Sequence, residues 1–189
     1  MPPASGLGDL APFFSGMTTA TDLTPPTPSR AEVLARILEQ RLHETLADAT
    51  DTPFHTDAQL FGLTVRDDQA LLSGDDDGFS HCWIAGSEAV YDLLDGPAGA
   101  LARLFDAAAV LTTGWSAPDD TPLLVAPRHH PQRRRVRLVV VVDDAGLASA
   151  LRFADAPHEA MVSSKGVGQL AEALSEVWSG ATPGRSLAS

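Results

Sequence analysis

The sequence is poor in cysteine, in positive charge and in long apolar runs. Its single cysteine, Cys82, excludes an internal disulfide framework and any zinc site built from several thiolates. Because this cysteine lies beside Trp83 in an apolar run, we expect it to be buried. There are 13 basic against 25 acidic residues, a net charge of −12. Such a charge makes nucleic acid an unlikely partner, because nucleic-acid affinity comes largely from neutralised phosphates.

No stretch approaches the roughly 18 consecutive apolar residues that a membrane span needs. The first residues have neither a cationic start nor an apolar signal core, so we expect no membrane association and a cytoplasmic location. Hydrophobic residues make up 44% of the 189 positions, enough for a sizeable core. We therefore predict one folded domain over residues 29–180, followed by a flexible C-terminus at 181–189.

Residues 1–28 form a segment rich in proline, serine and threonine. It holds six of the fourteen prolines and no basic residue, a composition typical of a loose tail. Within it, residues 10–17 are apolar and include Leu10, Phe13 and Phe14. These side chains suggest a docking segment for this domain or for a partner as the alternative interpretation.

Hydrophobic periodicity and turn residues predict an α+β domain. A capping box at Ser29 and Glu32 begins a helix over 30–48, and Asp143-Asp144-Ala145-Gly146 predicts a hairpin. The other predicted helices are 88–94, 97–108 and 167–179, and the predicted strands are 60–65, 70–73, 79–85, 109–115, 136–142 and 147–153. The order α-βββ-αα-βββ-α favours two layers, with one mainly antiparallel sheet packed by helices.

A cluster of basic residues precedes and enters the most apolar predicted strand. Its members are Arg128, Arg133, Arg134, Arg135 and Arg137. It could bind phosphate, nucleic acid or an acidic partner. Alternatively, Arg135 and Arg137 share the solvent face of a strand and protect the sheet from edge pairing. Residues 44–120 hold fifteen acids and two arginines, so this cluster could also bind the acidic region of the same chain or of another copy.

The loop between Pro118 and Pro131 combines carboxylates with imidazoles, which suits a metal ion. The candidate ligands are Asp119, Asp120, His129 and His130, although their spacing matches no known ligand pattern. Adjacent residues of an extended chain point to opposite sides, so the two histidines would rarely bind one ion. A solvated proline-rich loop is the favoured interpretation.

Residues 166–171 match the letters G-x-G-x-x-A, but too few residues follow for the second parallel strand that a dinucleotide-binding fold requires. The remaining possibility is a single-anion site at a helix N-terminus, formed by Ser163, Ser164 and Lys165.

No complete catalytic constellation is present, and no cofactor is implied. We therefore predict an interaction or regulatory domain without enzymatic activity that binds a protein partner or self-associates through charged and sheet-edge surfaces. A small metal-dependent hydrolase using the 119–130 loop is one alternative. A small-ligand sensor with a pocket between sheet and helices is another.

Overall fold

One antiparallel sheet organises the protein. The computed structural model describes residues 27–118, 126–166 and 169–179. In chain order its elements are α1 (Arg30–Ala49), β1 (Gln59–Val65), α2 (Asp68–Leu72), β2 (Phe79–Gly86), α3 (Glu88–Leu94), β3 (Ala107–Ser116), β4 (Arg134–Asp143), β5 (Gly146–Phe153), β6 (Ala156–Ser163) and α4 (Gln169–Ser179). The strands lie in the order β2-β1-β3-β4-β5-β6, and each pairs antiparallel with its neighbour.

Helix α1 begins where its capping residues predict. The Ser29 hydroxyl accepts a hydrogen bond from the Glu32 amide at 3.2 Å, and the Glu32 carboxylate accepts one from the Ser29 amide at 2.7 Å. These two bonds satisfy backbone donors that have no partner within the helix. The predicted helix at 30–48 is confirmed.

Apolar side chains cover both faces of the sheet. On one face, Leu38 of α1 belongs to the same core as Val139 and Val141. On the other, Leu174 of α4 belongs to a core with Val140. Successive residues of a strand point to opposite faces, so the run of valines in β4 contributes to both cores. The α+β class and the antiparallel sheet are confirmed, but helices on both faces make three layers rather than two.

Two predicted elements differ from the structure because local turn chemistry outweighs strand or helix propensity. The predicted strand at 70–73 is part of α2, since the Asp67 carboxylate accepts hydrogen bonds from the amides of Gln69 and Ala70. The predicted helix at 97–108 is a series of turns, and the chain enters β3 at Ala107. Gly99 has a φ of 77°, outside the helical region.

The two edge strands also differ from expectation. Strand β6 was not predicted, because Pro157, His158 and Glu159 interrupt any apolar alternation. Cys82 lies on edge strand β2 and is exposed, so the prediction that it is buried is wrong. In the described part of the chain, β2 has a neighbouring strand on one side only, and its middle residues are exposed.

The strand directions determine which loops share an end of the sheet. The β1–β2 connection, the β4–β5 hairpin and the start of β3 lie at one end, according to the pairing register. The end of β3, the start of β4 and the β5–β6 turn lie at the opposite end. Within the described ranges, no helix is both long and apolar enough to cross a membrane.

Candidate functional site

The predicted basic cluster lies at the end of the sheet where β3 finishes and β4 starts. Arg135 pairs with Trp115 across the two strands. The guanidinium carbon of Arg135 is 5.2 Å from the Trp115 ring centre, and that of Arg133 is 5.0 Å from it. Both distances suit cation–π attraction. We call the group Arg128, Arg133, Arg134, Arg135 and Trp115 the arginine end; all its members are exposed except Arg135, which is half-buried.

Neighbouring groups hold the side chain of Arg135 in place. Its Nε donates to the Phe54 carbonyl at 2.8 Å, and its Nη2 donates to the Thr113 hydroxyl at 3.1 Å. Both acceptors are neutral, so the positive charge is not cancelled by a carboxylate. Fixing a long side chain in the unbound protein lowers the entropy lost on binding a partner.

Arg134 projects from the other face of β4 and is already paired. It donates three hydrogen bonds to the Asp155 carboxylate, at 2.6, 2.9 and 3.2 Å, and its guanidinium lies 3.7 Å from the ring centre of Phe153. These hydrogen bonds are the main reason why the pKa of Asp155 lies below its usual value. Arg134 therefore contributes less unpaired charge than its neighbours.

Arg128 and Arg133 are exposed and have weak internal partners. Arg128 Nε donates to His129 at 3.1 Å, and Arg133 donates to the His130 carbonyl at 3.4 Å. Among the described residues, no carboxylate lies within 4.0 Å of Arg128, Arg133 or Arg135. Most of the charge at the arginine end is therefore not neutralised by the described part of the chain.

Arg137 does not belong to this surface. It shares a face of β4 with Arg135, as predicted, but α1 covers that face and the Arg137 side chain is fully buried. The expectation that it faces solvent is wrong, because neither face of the sheet is open at this position. Its Nη2 donates to the Glu39 carboxylate of α1 at 2.7 Å.

Glu39 also binds Arg152 of β5, which gives a buried group of two guanidiniums and one carboxylate. Arg152 donates to both carboxylate oxygens of Glu39. Its Nε is 2.8 Å from Oε1 and 2.9 Å from Oε2, and its Nη2 is 2.5 Å from Oε2. The two arginines also donate to the carbonyls of Pro53 and Pro157 and to the side-chain oxygen of Gln40. These acceptors disperse the excess positive charge, as burial requires.

The electrostatics of this buried group follow from its geometry. Burial acts to raise the pKa of Glu39, but the hydrogen bonds and charges of Arg152 and Arg137 outweigh burial and the pKa is lowered. One turn further along α1, burial, followed by the charges of Arg152 and Arg137, lowers the pKa of His43. The carboxylate is thus held charged and the imidazole neutral.

Sequence inspection did not identify Glu39, Arg152 or Trp115. A signal was available for two of them, since Glu39 lies within the apolar stripe of α1 and Arg152 within an apolar strand. A charge in such a position is buried only with a partner. The sequence does not indicate which arginines bind Glu39, because Arg137 and Arg152 lie 98 and 113 residues further along the chain.

The opposite end of the sheet is rich in aspartate. We call Asp67, Asp68, Asp75, Asp76, Asp77, Asp143 and Asp144 the aspartate end; the first five lie in the β1–β2 connection and the last two at the β4–β5 hairpin. Arg30 lies between these two segments, 3.5 Å from Asp68 and 4.0 Å from Asp143. Arg30 offsets part of this charge and Asp143 is buried, so the exposed acidic surface consists of the other six aspartates.

The candidate metal loop and the predicted docking segment lie partly or wholly outside the described residues. Asp119 and Asp120 of the candidate metal loop lie outside the described residues, as do Leu10, Phe13 and Phe14 of the predicted docking segment. His130 accepts a hydrogen bond from the Gln132 amide at 3.1 Å. In the described ranges, no three histidine, cysteine or acidic side chains are grouped so as to hold a metal ion.

The predicted anion site forms a turn after β6. The Ser163 hydroxyl accepts a hydrogen bond from the Lys165 amide at 3.2 Å, and the Lys165 carbonyl accepts one from Ser149 at 2.7 Å. Ser163, Ser164 and Lys165 are all exposed. Anion binding by this turn stays a prediction.

No protein-family model, curated protein or solved structure matches this chain.

Proposed function

We propose that this protein is an interaction domain without enzymatic activity that self-associates head to tail. In this arrangement the arginine end of one copy binds the aspartate end of the next. The observation that carries the proposal is the separation of opposite charges to opposite ends of one sheet. The cytoplasmic location of the protein stays a prediction from the sequence.

The composition of the arginine end supports a protein partner. Arginine and tryptophan are enriched among the residues that dominate binding energy at protein interfaces. Trp115 is 38% exposed, and two guanidiniums flank its ring. The same surface offers apolar contact and planar donors that fit carboxylates in pairs.

The aspartate end complements this surface in charge and accessibility. Its five aspartates from the β1–β2 connection are all exposed. Among the described residues, two of them form ion pairs with an arginine: Asp68 with Arg30 and Asp76 with Arg41. Charge complementarity of this kind steers association and fixes orientation more than it adds affinity. Every copy of the chain carries both the arginine end and the aspartate end, so the two surfaces are always present in equal amounts.

Head-to-tail contact allows the assembly to grow beyond two copies. Contact between two different surfaces leaves one free surface at each end of the dimer, so further copies can add. We therefore expect an open series of oligomers whose mean mass rises with protein concentration. A dimer with two-fold symmetry would instead stop at two copies.

Multi-angle light scattering tests the proposal. At about 50 mM salt the wild-type protein should show a mass that rises with concentration, and this mass should fall towards the monomer near 1 M salt, where screening is strong. The double variant Arg128→Glu/Arg133→Glu should be monomeric at low salt. Both side chains are exposed and bind no carboxylate of the described residues.

A matched control reverses two charges at the aspartate end. Arg66→Glu/Lys165→Glu changes the net charge by the same amount, and both side chains are exposed there. This control should associate at least as strongly as the wild type, which excludes general repulsion as the cause. A wild-type protein that is monomeric at every concentration and salt level would overturn the proposal.

A further inference from the structure

A cavity of about 770 Å³ opens where the β4–β5 hairpin, the N-terminus of α1 and the C-terminus of α4 meet. Its wall includes the aromatic side chains Phe105 and Trp178 and the polar side chains Arg30, Arg103 and Asp143. Binding sites for small molecules usually have about 300–1,000 Å³. The cavity therefore has the size of a small-molecule site and lies apart from the arginine end.

Two buried polar atoms in this wall have no hydrogen-bond partner among the residues that the structure describes. One is Oδ2 of Asp143, whose side chain is 2% exposed. The other carboxylate oxygen, Oδ1, accepts hydrogen bonds from the amides of Ala145 and Gly146 at 2.9 and 3.1 Å, which fixes the orientation of the group. The second atom is Nε of Arg30, which forms ion pairs with Asp143 Oδ2 at 4.0 Å and Asp68 Oδ1 at 3.5 Å, neither of them with hydrogen-bond geometry. Buried polar atoms are nearly always paired, so this pair of atoms points to an occupant.

The two atoms require opposite properties from that occupant. Asp143 Oδ2 needs a donor, and Arg30 Nε needs an acceptor. A single hydroxyl group placed between them can do both, because an oxygen at ordinary hydrogen-bond distance from each fits a separation of 4.0 Å. The cavity is far larger than the roughly 30 Å³ share of one water molecule.

We infer that the cavity binds a neutral small molecule with several hydroxyl groups, such as a sugar or a polyol. One hydroxyl of the molecule bridges Asp143 and Arg30, and its carbon skeleton packs against Phe105 and Trp178. Both guanidiniums and carboxylates line the cavity, so neither an anion nor a cation is favoured as a whole. The cavity includes Asp143 and Asp144 of the aspartate end, but the inference does not depend on self-association.

Saturation-transfer NMR with defined probes tests the inference. The neutral probes are D-glucose, myo-inositol and trehalose, and the charged counterparts are D-glucuronate and D-glucosamine. At least one neutral probe should give a saturable signal, and its binding should be stronger than that of either charged counterpart. Binding is measured on Arg128→Glu/Arg133→Glu, whose aspartate end is not covered by another copy, so that the result does not depend on self-association.

The decisive variant is Asp143→Asn, which keeps an oxygen for the two hairpin amides but places a donor at the Oδ2 position. We expect it to bind the probe about tenfold more weakly or worse. Asp77→Asn, an exposed change at the same end of the sheet, should leave affinity unchanged. Arg30→Lys keeps the charge but removes Nε, and it should also weaken binding.

Three results would overturn the inference. The first is no saturable signal from any neutral probe, which would mean that solvent alone fills the cavity. The second is unchanged affinity in both Asp143→Asn and Arg30→Lys, with circular dichroism showing folded variants. The third is binding of the charged probes in preference to the neutral ones.

Discussion

At the scale of single residues, Glu39 determines the charge balance of the interior. Two guanidiniums converge on its carboxylate from β4 and β5, and all three side chains are almost completely removed from solvent. The contact joins α1 to two central strands. Removing one member of such a group leaves the others buried without compensation, which is the costly case.

We predict that Glu39→Gln lowers the free energy of unfolding by about 3–5 kcal/mol. The amide keeps the shape of the side chain but cannot neutralise Arg137 or Arg152. Urea denaturation followed by circular dichroism measures the loss. Glu44→Gln, an exposed change on the same helix, should alter stability by no more than about 0.5 kcal/mol. Equal effects of the two variants would contradict the assigned role of Glu39.

The pKa of His43 predicts how stability depends on pH. Burial, with the charges of Arg152 and Arg137, lowers this pKa in the folded protein from the ordinary value of 6.5. The unfolded chain therefore takes up the proton first, and stability should decrease as the pH falls below about 6.5 towards the folded pKa. Above that value the contribution is fully present.

Denaturation midpoints between pH 7.5 and 5 test this dependence. His43→Gln should show a smaller decrease than the wild type. His158→Gln, on edge strand β6, serves as the control and should retain the wild-type decrease. An unchanged slope in His43→Gln would show that His43 does not take up a proton on unfolding in this range.

At the scale of helices and strands, the sequence predicts elements whose local and tertiary signals agree. Helix α1 has both a capping box and an apolar stripe, and β4 has an apolar run that is too long for one face. Helix α2 and strand β6 were not predicted. In α2 the cap formed by Asp67 outweighs the apolar triplet that follows it, and β6 is held by pairing with β5 rather than by its own pattern.

Close packing between β1 and the turn before β3 gives a prediction at this scale. A Cβ added at Gly62 would overlap the ring of Phe105, whereas one added at Gly114 would meet nothing within 4 Å. We expect Gly62→Ala to destabilise the protein by about 1–3 kcal/mol, as overpacking does. Gly114→Ala, also in a strand, is the control and should be neutral or slightly stabilising.

Thermal unfolding of the two alanine variants provides the measurement. Adding Phe105→Leu to Gly62→Ala should recover part of the loss, because the smaller side chain relieves the overlap. If Gly62→Ala were as stable as Gly114→Ala, the close approach of Phe105 to β1 would not exist in solution.

At the scale of the whole molecule, the distribution of charge matters more than the net value of −12. Counting along the chain predicts an acidic middle and a basic cluster, but it cannot place them in space. The antiparallel order of the strands brings the aspartates of two separate connections to one end of the sheet and the arginines to the other. Arg137 shows the limit of counting charges along the chain, since it forms a buried ion pair with Glu39 and adds no charge to the surface.

A mixing experiment tests head-to-tail association most directly. Arg128→Glu/Arg133→Glu retains the aspartate end, and Asp77→Asn/Asp144→Asn retains the arginine end, so each variant alone should be a monomer; the two altered ends, one acidic and one neutralised, do not attract each other. Analytical ultracentrifugation of an equimolar mixture at low salt should show a dimer that holds one copy of each variant and does not grow further. A mixture in which both variants stay monomeric, while the wild-type protein associates, would contradict contact between the two ends.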